Sequence, residues 1–136
     1  MEKSHYAVFV YGTLQPGEKY HDPYCGGFVV DAYPAIAYGE LYDLPVGYPA
    51  MTVGDRPIQG CCLIFDNPEI LVRLDELEGY VPGRSPHENE YQRELTEIFN
   101  LDLSRTGTAW IYRMVAERAI ARGGKIYPTS PWTGRV

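Results

Sequence analysis

Glu78 is the carboxylate of this 136-residue sequence that is best placed for acid/base chemistry, at the end of a predicted helix. At about 100° per residue, Glu78 lies about 20° from Leu71 and about 40° from Leu74 around the helix axis, so it shares their apolar stripe. Burial and the negative end of the helix dipole both disfavour its charged form, so we expect a raised pKa. A carboxyl pKa near neutral suits general acid/base catalysis. The alternative is a frayed helix end, in which Glu78 bends out to water.

Two further acids of the same segment have different predicted surroundings. Glu76 lies about 200° from Glu78 and is expected to face solvent, whereas Asp75 lies about 60° to one side, near the edge of the apolar stripe. Glu78 is therefore the candidate catalytic acid of the three.

The second candidate feature is the loop Gly12-Thr13-Leu14, which follows the first predicted strand. Successive backbone N–H groups in such a turn form a concave donor site for a carboxylate or other anion, without a basic side chain. The alternative is an ordinary tight turn. Several tyrosines offer phenol groups for a small polar cavity or, alternatively, for plain sheet packing: Tyr11, Tyr42, Tyr91 and Tyr112.

The signatures of several other chemistries are missing from the sequence. It has no GxxxxGK followed by Ser or Thr, no GxGxxG, no GxSxG and no HExxH, so phosphate loops, dinucleotide sites, hydrolase elbows and helical zinc sites lack their sequence basis. The three cysteines contain no CxxC pair, and His5, His21 and His87 have no ligand-pair spacing. We therefore predict neither a metal site nor a disulfide framework.

Charge and hydropathy exclude two classes of partner. The formal net charge is -6 and the arginines are scattered, so the sequence lacks the basic face that nucleic-acid binding requires. The longest apolar runs are far below the roughly 20 residues of a membrane helix, and no apolar signal-peptide core follows Met1. We predict a cytoplasmic protein with one domain.

The elements that must position Glu78 and the loop are predicted to be short. The 12 Tyr, 11 Pro and 14 Gly favour short strands joined by tight turns. Strands are predicted over 6–11, twice within 28–43 with interruptions at Pro34 and Gly39, and over 58–65, 91–100 and 108–114. Residues 44–57 are expected to be irregular. Helices are predicted over 68–78, capped by Asn67 and ended by Gly79, and over 116–122. The segment 80–90 is a loop long enough for a function such as a lid.

Four segments together resemble the gamma-glutamylcyclotransferase-like superfamily, in its gamma-glutamylamine cyclotransferase or AIG2-like branch. The matching segments are VFVYGTL at 8–14, LDELEGY at 74–80, YQR at 91–93 and AWIY at 109–112. Their order and spacing hold from about residue 6 to residue 114. VFVYGTL and LDxxEGY are specific in combination, whereas either alone is a weak signal.

The resemblance implies an α+β fold, a small mixed, mostly antiparallel β-barrel flanked by short helices, as a single domain over residues 1–136 with a cavity at one end. It implies that the loop from Tyr11 to Leu14 binds a γ-glutamyl substrate, with the backbone N–H groups of Gly12, Thr13 and Leu14 on its α-carboxylate. It also implies that Glu78 is the acid/base and that Tyr91 positions the substrate.

The implied partner is a small-molecule γ-glutamyl substrate, with no metal or organic cofactor, no nucleic acid and no membrane. The oligomeric state is left open.

The implied reaction closes the glutamyl group into 5-oxoproline and expels an amine. Two alternatives remain, a catalytically silent module that binds a small anionic metabolite and a hydrolase of the same γ-glutamyl bond. Glu78 favours an enzyme, because a pure anion binder has no reason to hold a partly buried carboxylate beside its ligand. The motifs concern the glutamyl half of the substrate, so specificity for the leaving amine is expected to lie in the segment between Gly79 and Tyr91.

Overall fold

A computed structural model describes residues 5–133, which form one six-stranded mixed sheet with three short helices. The strands are β1 (Tyr6–Val10), β2 (Val29–Asp43), β3 (Pro49–Phe65), β4 (Gln92–Phe99), β5 (Arg105–Arg113) and β6 (Lys125–Ile126). The helices are α1 (His21–Tyr24), α2 (Glu69–Glu78) and α3 (Ala116–Ala121), and a single 3-10 turn covers Pro86–Glu88.

The strand order is β3-β1-β5-β4-β2-β6, and a further pairing of β2 with β3 closes five of these strands into a ring. Neighbouring strands are antiparallel except for β1 and β5, which run parallel. One residue pair, Ile36 with Phe99, joins β2 to β4. The predicted α+β, mostly antiparallel fold is confirmed, but this narrow seam leaves the ring short of a complete barrel.

Strand β1 lies at the centre of the sheet, and its side chains are buried on both faces. Val8 and Val10 belong to one apolar cluster and Phe9 to another, as the period of two along a strand requires. Helix α2 packs Ile70 and Leu74 onto the cluster that contains Val8. The end of β1 and the end of α2 are thereby held on the same side of the sheet.

Helix α2 begins and ends where the sequence predicts. The backbone N–H of Glu69 donates a hydrogen bond of 3.0 Å to the side-chain oxygen of Asn67, which supplies the expected cap. Gly79 ends the helix with φ 66°, in the left-handed region that glycine adopts without a steric penalty. The helix over 116–122 and the strands over 91–100 and 108–114 are also confirmed, although β5 begins earlier, at Arg105.

Two predictions about the long strands are wrong. Residues 29–43 form one strand, in which Pro34 pairs with Cys61 of β3 and has no strand partner on its other side among the described residues, a position in a sheet where proline is tolerated. Residues 49–57 belong to β3 instead of an irregular segment. Pro49 is tolerated as the first residue of the strand, and a shift in register opposite Gly39 accommodates residues 53–55.

Within residues 5–133, no helix has the length and hydrophobicity needed to cross a membrane.

Candidate active site

A cavity of about 210 Å³ lies where β1 and α2 end. All six residues that the sequence nominated for substrate binding or catalysis line it: Tyr11, Gly12, Thr13, Leu14, Glu78 and Tyr91. Its wall also includes Tyr48, Pro49, Glu90 and Tyr112. The loop and the carboxylate, 64 to 66 residues apart in the chain, therefore face the same space.

The loop after β1 has backbone N–H groups that donate to no backbone acceptor among residues 5–133. In the part of the chain that the structure describes, no backbone hydrogen bond uses the N–H of Gly12, Thr13 or Leu14 as donor. The carbonyl oxygen of Gly12, by contrast, accepts hydrogen bonds from the backbone N–H of Gln15 at 3.1 Å and from its side-chain amide at 3.2 Å. The loop thus keeps donors for an anion while its acceptor is satisfied.

Gly12 is required by close packing against Pro49. A Cβ atom at position 12 would lie 2.7 Å from Cγ of Pro49, inside van der Waals contact. The loop can approach the first residue of β3 because glycine has no side chain.

Glu78 is the last residue of α2 and faces the cavity, as its helical spacing predicts. Burial is the larger cause of a raised pKa, and the negative charge of Glu90 adds to it, so that the pKa of Glu78 reaches about 8. The carboxyl group can therefore change its protonation state close to neutral pH.

Glu90 is a cavity residue that the sequence reasoning missed. Its backbone N–H donates to the carbonyl of Gly79 at 3.2 Å, and a Cβ atom at position 79 would lie 2.9 Å from Cβ of Glu90. Gly79 thus allows Glu90 to lie directly against the end of α2. The segment 80–90 shows no periodicity, so the available signal was the position of Glu90 immediately before Tyr91.

Three tyrosines of the cavity wall donate hydrogen bonds from their hydroxyl groups to acceptors within the protein. Tyr91 donates to the carbonyl of Pro49 at 2.7 Å, Tyr11 to the carbonyl of Tyr112 at 2.5 Å, and Tyr112 to the carboxylate of Asp75 at 2.7 Å. Burial is the main cause that raises the pKa of each phenol far above its ordinary value. They are neutral near pH 7, and the oxygen of Tyr11 also accepts a hydrogen bond of 3.1 Å from the backbone N–H of Met51.

Asp75, which is predicted near the edge of the apolar stripe, is buried. Nε of Arg93 lies 2.8 Å from one carboxylate oxygen and Nη2 lies 3.2 Å from the other, so the two side chains form a two-point ion pair. Tyr112 donates a third hydrogen bond to the same carboxylate. These partners satisfy the charge of Asp75 and tie α2 to β4 and β5.

The loop from Val81 to Pro86 does not line the cavity. Residues 81–88 are exposed, and Glu90 is the member of the 80–90 segment that lines the wall. In the described structure, apart from Glu90, no residue of this segment contacts the cavity in the way that a lid would.

Residues 8–134 match the family model described as gamma-glutamyl cyclotransferase, AIG2-like. A protein of Vibrio cholerae with the provisional name gamma-glutamylcyclotransferase is 34% identical over 105 residues, which cover 77% of this chain and 78% of that protein. The gamma-L-glutamyl-butirosin B gamma-glutamyl cyclotransferase of Niallia circulans is 30% identical over 105 residues, 77% of this chain and 65% of that protein.

The fold is also similar to that of an AIG2-like protein from Mus musculus whose crystal structure is known. The TM-score is 0.69 at 18% sequence identity, and the match covers 93% of this chain and 88% of the mouse chain.

Proposed function

Because this chain belongs to the gamma-glutamyl cyclotransferase, AIG2-like family, we propose that it releases 5-oxoproline from a γ-glutamyl amine or γ-glutamyl peptide without a cofactor. The observation that carries the proposal is the placement of Glu78 in the same cavity as the loop after β1, whose N–H groups donate no backbone hydrogen bond within the described residues.

The loop binds the α-carboxylate of the substrate in this proposal. The N–H groups of Gly12, Thr13 and Leu14 donate to it, and no basic side chain is needed because the donors are preorganised backbone groups. With the α-carboxylate fixed, the α-amine and the side-chain carbonyl of the same glutamyl group are folded toward each other. Ring closure is then intramolecular, which removes most of the entropic cost of bringing the two groups together.

Glu78 performs both proton transfers. Its carboxylate takes a proton from the α-ammonium, and the resulting amine nitrogen forms a bond to the γ-carbonyl carbon. As the bond from this carbon to the leaving nitrogen breaks and the C=O bond re-forms, the leaving nitrogen receives the proton from Glu78. The ring nitrogen gives its second proton to the Glu78 carboxylate, which passes it to the departing amine, so that 5-oxoproline leaves as a neutral lactam and the amine as an ammonium ion. A pKa of about 8 fits this dual role, because the carboxyl group accepts and returns a proton near neutral pH at similar cost.

The proposal is tested by measuring products from the wild type and the Glu78→Gln variant with γ-glutamyl amines and dipeptides, using mass spectrometry. The matched control is Glu76→Gln, because Glu76 lies on the same helix but is exposed. We expect 5-oxoproline from the wild type and the control, and a rate at least about 100-fold lower from Glu78→Gln.

Other products would indicate other functions. Free glutamate in place of 5-oxoproline would indicate a hydrolase, in which water takes the place of the α-amine. Binding of a γ-glutamyl compound without any turnover would indicate a binding module.

A further inference from the structure

Gln15 is a buried polar residue that the proposed mechanism does not use. It directly follows the loop after β1, is 8% exposed and does not line the cavity. Its side-chain nitrogen Nε2 donates hydrogen bonds to three backbone carbonyl oxygens, those of Tyr11 at 3.0 Å, Gly12 at 3.2 Å and Trp132 at 2.9 Å. Three acceptors around one nitrogen fix the orientation of the amide, because its own oxygen would be repelled at that position.

Two of these hydrogen bonds control the direction of the loop's own donors. In a trans peptide, the carbonyl of one residue and the N–H of the next lie in one plane and point in opposite directions. The carbonyl of Tyr11 therefore sets the direction of the Gly12 N–H, and the carbonyl of Gly12 sets that of the Thr13 N–H. Because both carbonyls bind Gln15, both N–H groups point away from it, and Gln15 lies outside the wall that Gly12 and Thr13 line.

The next two carbonyls of the loop are held by the segment that follows it. The carbonyl of Thr13 accepts a hydrogen bond of 2.8 Å from the backbone N–H of Tyr20, which sets the direction of the Leu14 N–H. The carbonyl of Leu14 lies 2.8 Å from Nδ1 of His21. The third donor of the loop is thus oriented by the backbone, whereas the first two depend on the side chain of Gln15.

The third hydrogen bond of the amide ties the loop to a residue far along the chain. Trp132 is buried in the apolar cluster that contains Phe9, and its Nε1 donates a hydrogen bond of 3.1 Å to the carboxylate of Asp43. The Trp132 carbonyl is therefore held in place independently of the loop. The amide of Gln15 is fixed between this carbonyl on one side and the loop carbonyls on the other.

Building on the proposed function, we propose that Gln15 is a positioning residue for the α-carboxylate of the substrate, because its amide aims the N–H groups of Gly12 and Thr13 into the cavity. Gln15 does not contact the substrate and takes no part in proton transfer. Its contribution depends on the charge of the α-carboxylate, since well-aimed N–H donors bind a charged oxygen about twice as strongly as a neutral one.

The test compares γ-L-glutamyl-n-butylamine with its counterpart that has an α-carboxamide in place of the α-carboxylate. The measured quantity is the ratio of the two kcat/KM values, carboxylate over carboxamide. Gln15→Met keeps the side-chain volume and removes the donors, and we expect this ratio to fall about tenfold or more, since a hydrogen bond to a charged group is worth that much. The loss should lie in KM rather than kcat, because the α-carboxylate is bound alike before and during ring closure.

Two further variants separate positioning from a general structural role. Gln59→Met is the matched control, because Gln59 is half-buried and its side chain makes no hydrogen bond within residues 5–133, and its ratio should stay within about threefold of the wild type. Gln15→Lys restores three donors for the three carbonyls and should keep at least about a third of the wild-type ratio. A loss of stability that affects both compounds equally leaves the ratio unchanged. An unchanged ratio in Gln15→Met, or a Gln15→Lys ratio as low as that of Gln15→Met, would overturn the proposal.

Binding of 5-oxoproline and of its amide, measured by calorimetry, separates this proposal from the proposed function, because neither measurement requires turnover. If no γ-glutamyl compound is cyclised but the wild type binds 5-oxoproline more tightly than the amide and Gln15→Met loses this preference, the role of Gln15 stands and the cyclotransferase activity does not. If the wild type forms 5-oxoproline and Gln15→Met keeps the wild-type preference for the carboxylate, the activity stands and the role of Gln15 does not. Absence of both turnover and any preference for the carboxylate would overturn both.

Discussion

The backbone N–H of Tyr91 donates a hydrogen bond of 3.2 Å to the carbonyl oxygen of Glu78. This bond joins the last residue of α2 to the residue before β4, so the proposed acid/base does not depend on the helix alone for its position. The hydroxyl of Tyr91 in turn donates to Pro49, at the start of β3. Tyr91 therefore links Glu78 to the strand against which the loop after β1 packs.

Stability is expected to fall as pH rises, because of Glu78. Its pKa is raised from 4.5 to about 8 in the folded protein, so between these values the unfolded chain gives up a proton that the folded chain keeps. The loss of unfolding free energy due to Glu78 is absent below about pH 4.5. It grows by about 1.4 kcal/mol per pH unit between the two pKa values and levels off above about pH 8.

The measurement compares urea unfolding of the wild type and Glu78→Gln at pH 5 and pH 8. Glutamine does not ionise, so the variant is expected to gain a few kcal/mol relative to the wild type over this range. An equal change in the free energy of unfolding between pH 5 and pH 8 in the two proteins would show that Glu78 is ionised in the folded state over this range.

The pH dependence of activity should follow Glu78 and respond to Glu90. The value of kcat/KM reports groups of the free enzyme, so we expect it to rise with pH as Glu78 loses its proton, with an apparent pKa of about 8. In Glu90→Gln the rise should move to lower pH because a neighbouring negative charge is removed. It should stay well above pH 4.5, since burial is the larger cause of the raised pKa. Glu76→Gln is the control, and its profile should match that of the wild type.

Gly12→Ala is expected to weaken substrate binding. The added Cβ atom would lie 2.7 Å from Pro49, so the loop or the start of β3 must move, and the three N–H donors move with the loop. We expect KM to rise about tenfold and the free energy of unfolding to fall by about 1–3 kcal/mol, the usual cost of overpacking. Gly27→Ala is the matched control, because nothing lies within 4 Å of its Cβ position. Steady-state kinetics and thermal unfolding of the two variants check this, and an unchanged KM for Gly12→Ala would contradict it.

Arg93→Gln should destabilise the fold by about 3 kcal/mol, because it leaves the buried carboxylate of Asp75 without its cation. The side chains of Arg93 and Asp75 are 16% and 12% exposed. Arg105→Gln breaks the pair with Glu97, whose side chains are 56% and 61% exposed, and is expected to cost less than about 1 kcal/mol. Urea unfolding at pH 7 distinguishes the two, and equal effects would show that the Asp75 pair contributes no more than a surface pair.

The parts of the fold that depend on local rules could be predicted from the sequence. The cap at Asn67, the stop at Gly79 and the apolar stripe defined α2, and with it the direction in which Glu78 points. Those rules involve residues within one or two helical turns, so distant partners do not override them.

Features that depend on distant partners could not be predicted in the same way. Proline normally interrupts a strand, but Pro34 and Pro49 are accepted here because the first has one paired neighbour and the second begins its strand. Asp75 is buried because Arg93 and Tyr112, from two other strands, satisfy its charge. Glu90 belongs to the cavity because the loop returns to Gly79. Each of these placements is decided by residues far along the chain.

The return of the loop to the end of α2 also makes the 80–90 segment an exchangeable unit. The bonds from Glu90 to Gly79 and from Tyr91 to Glu78 clamp its two ends, and buried Asn89 accepts hydrogen bonds from Val81 and Arg84 within it. Of its other residues, Pro82, Gly83 and residues 85–88 are exposed and do not line the cavity, whereas Tyr80 packs against the apolar cluster that contains Val8. The exposed residues between Val81 and Glu88 can therefore be replaced by another loop without displacing Glu78, which offers protein engineers a place to attach a new segment.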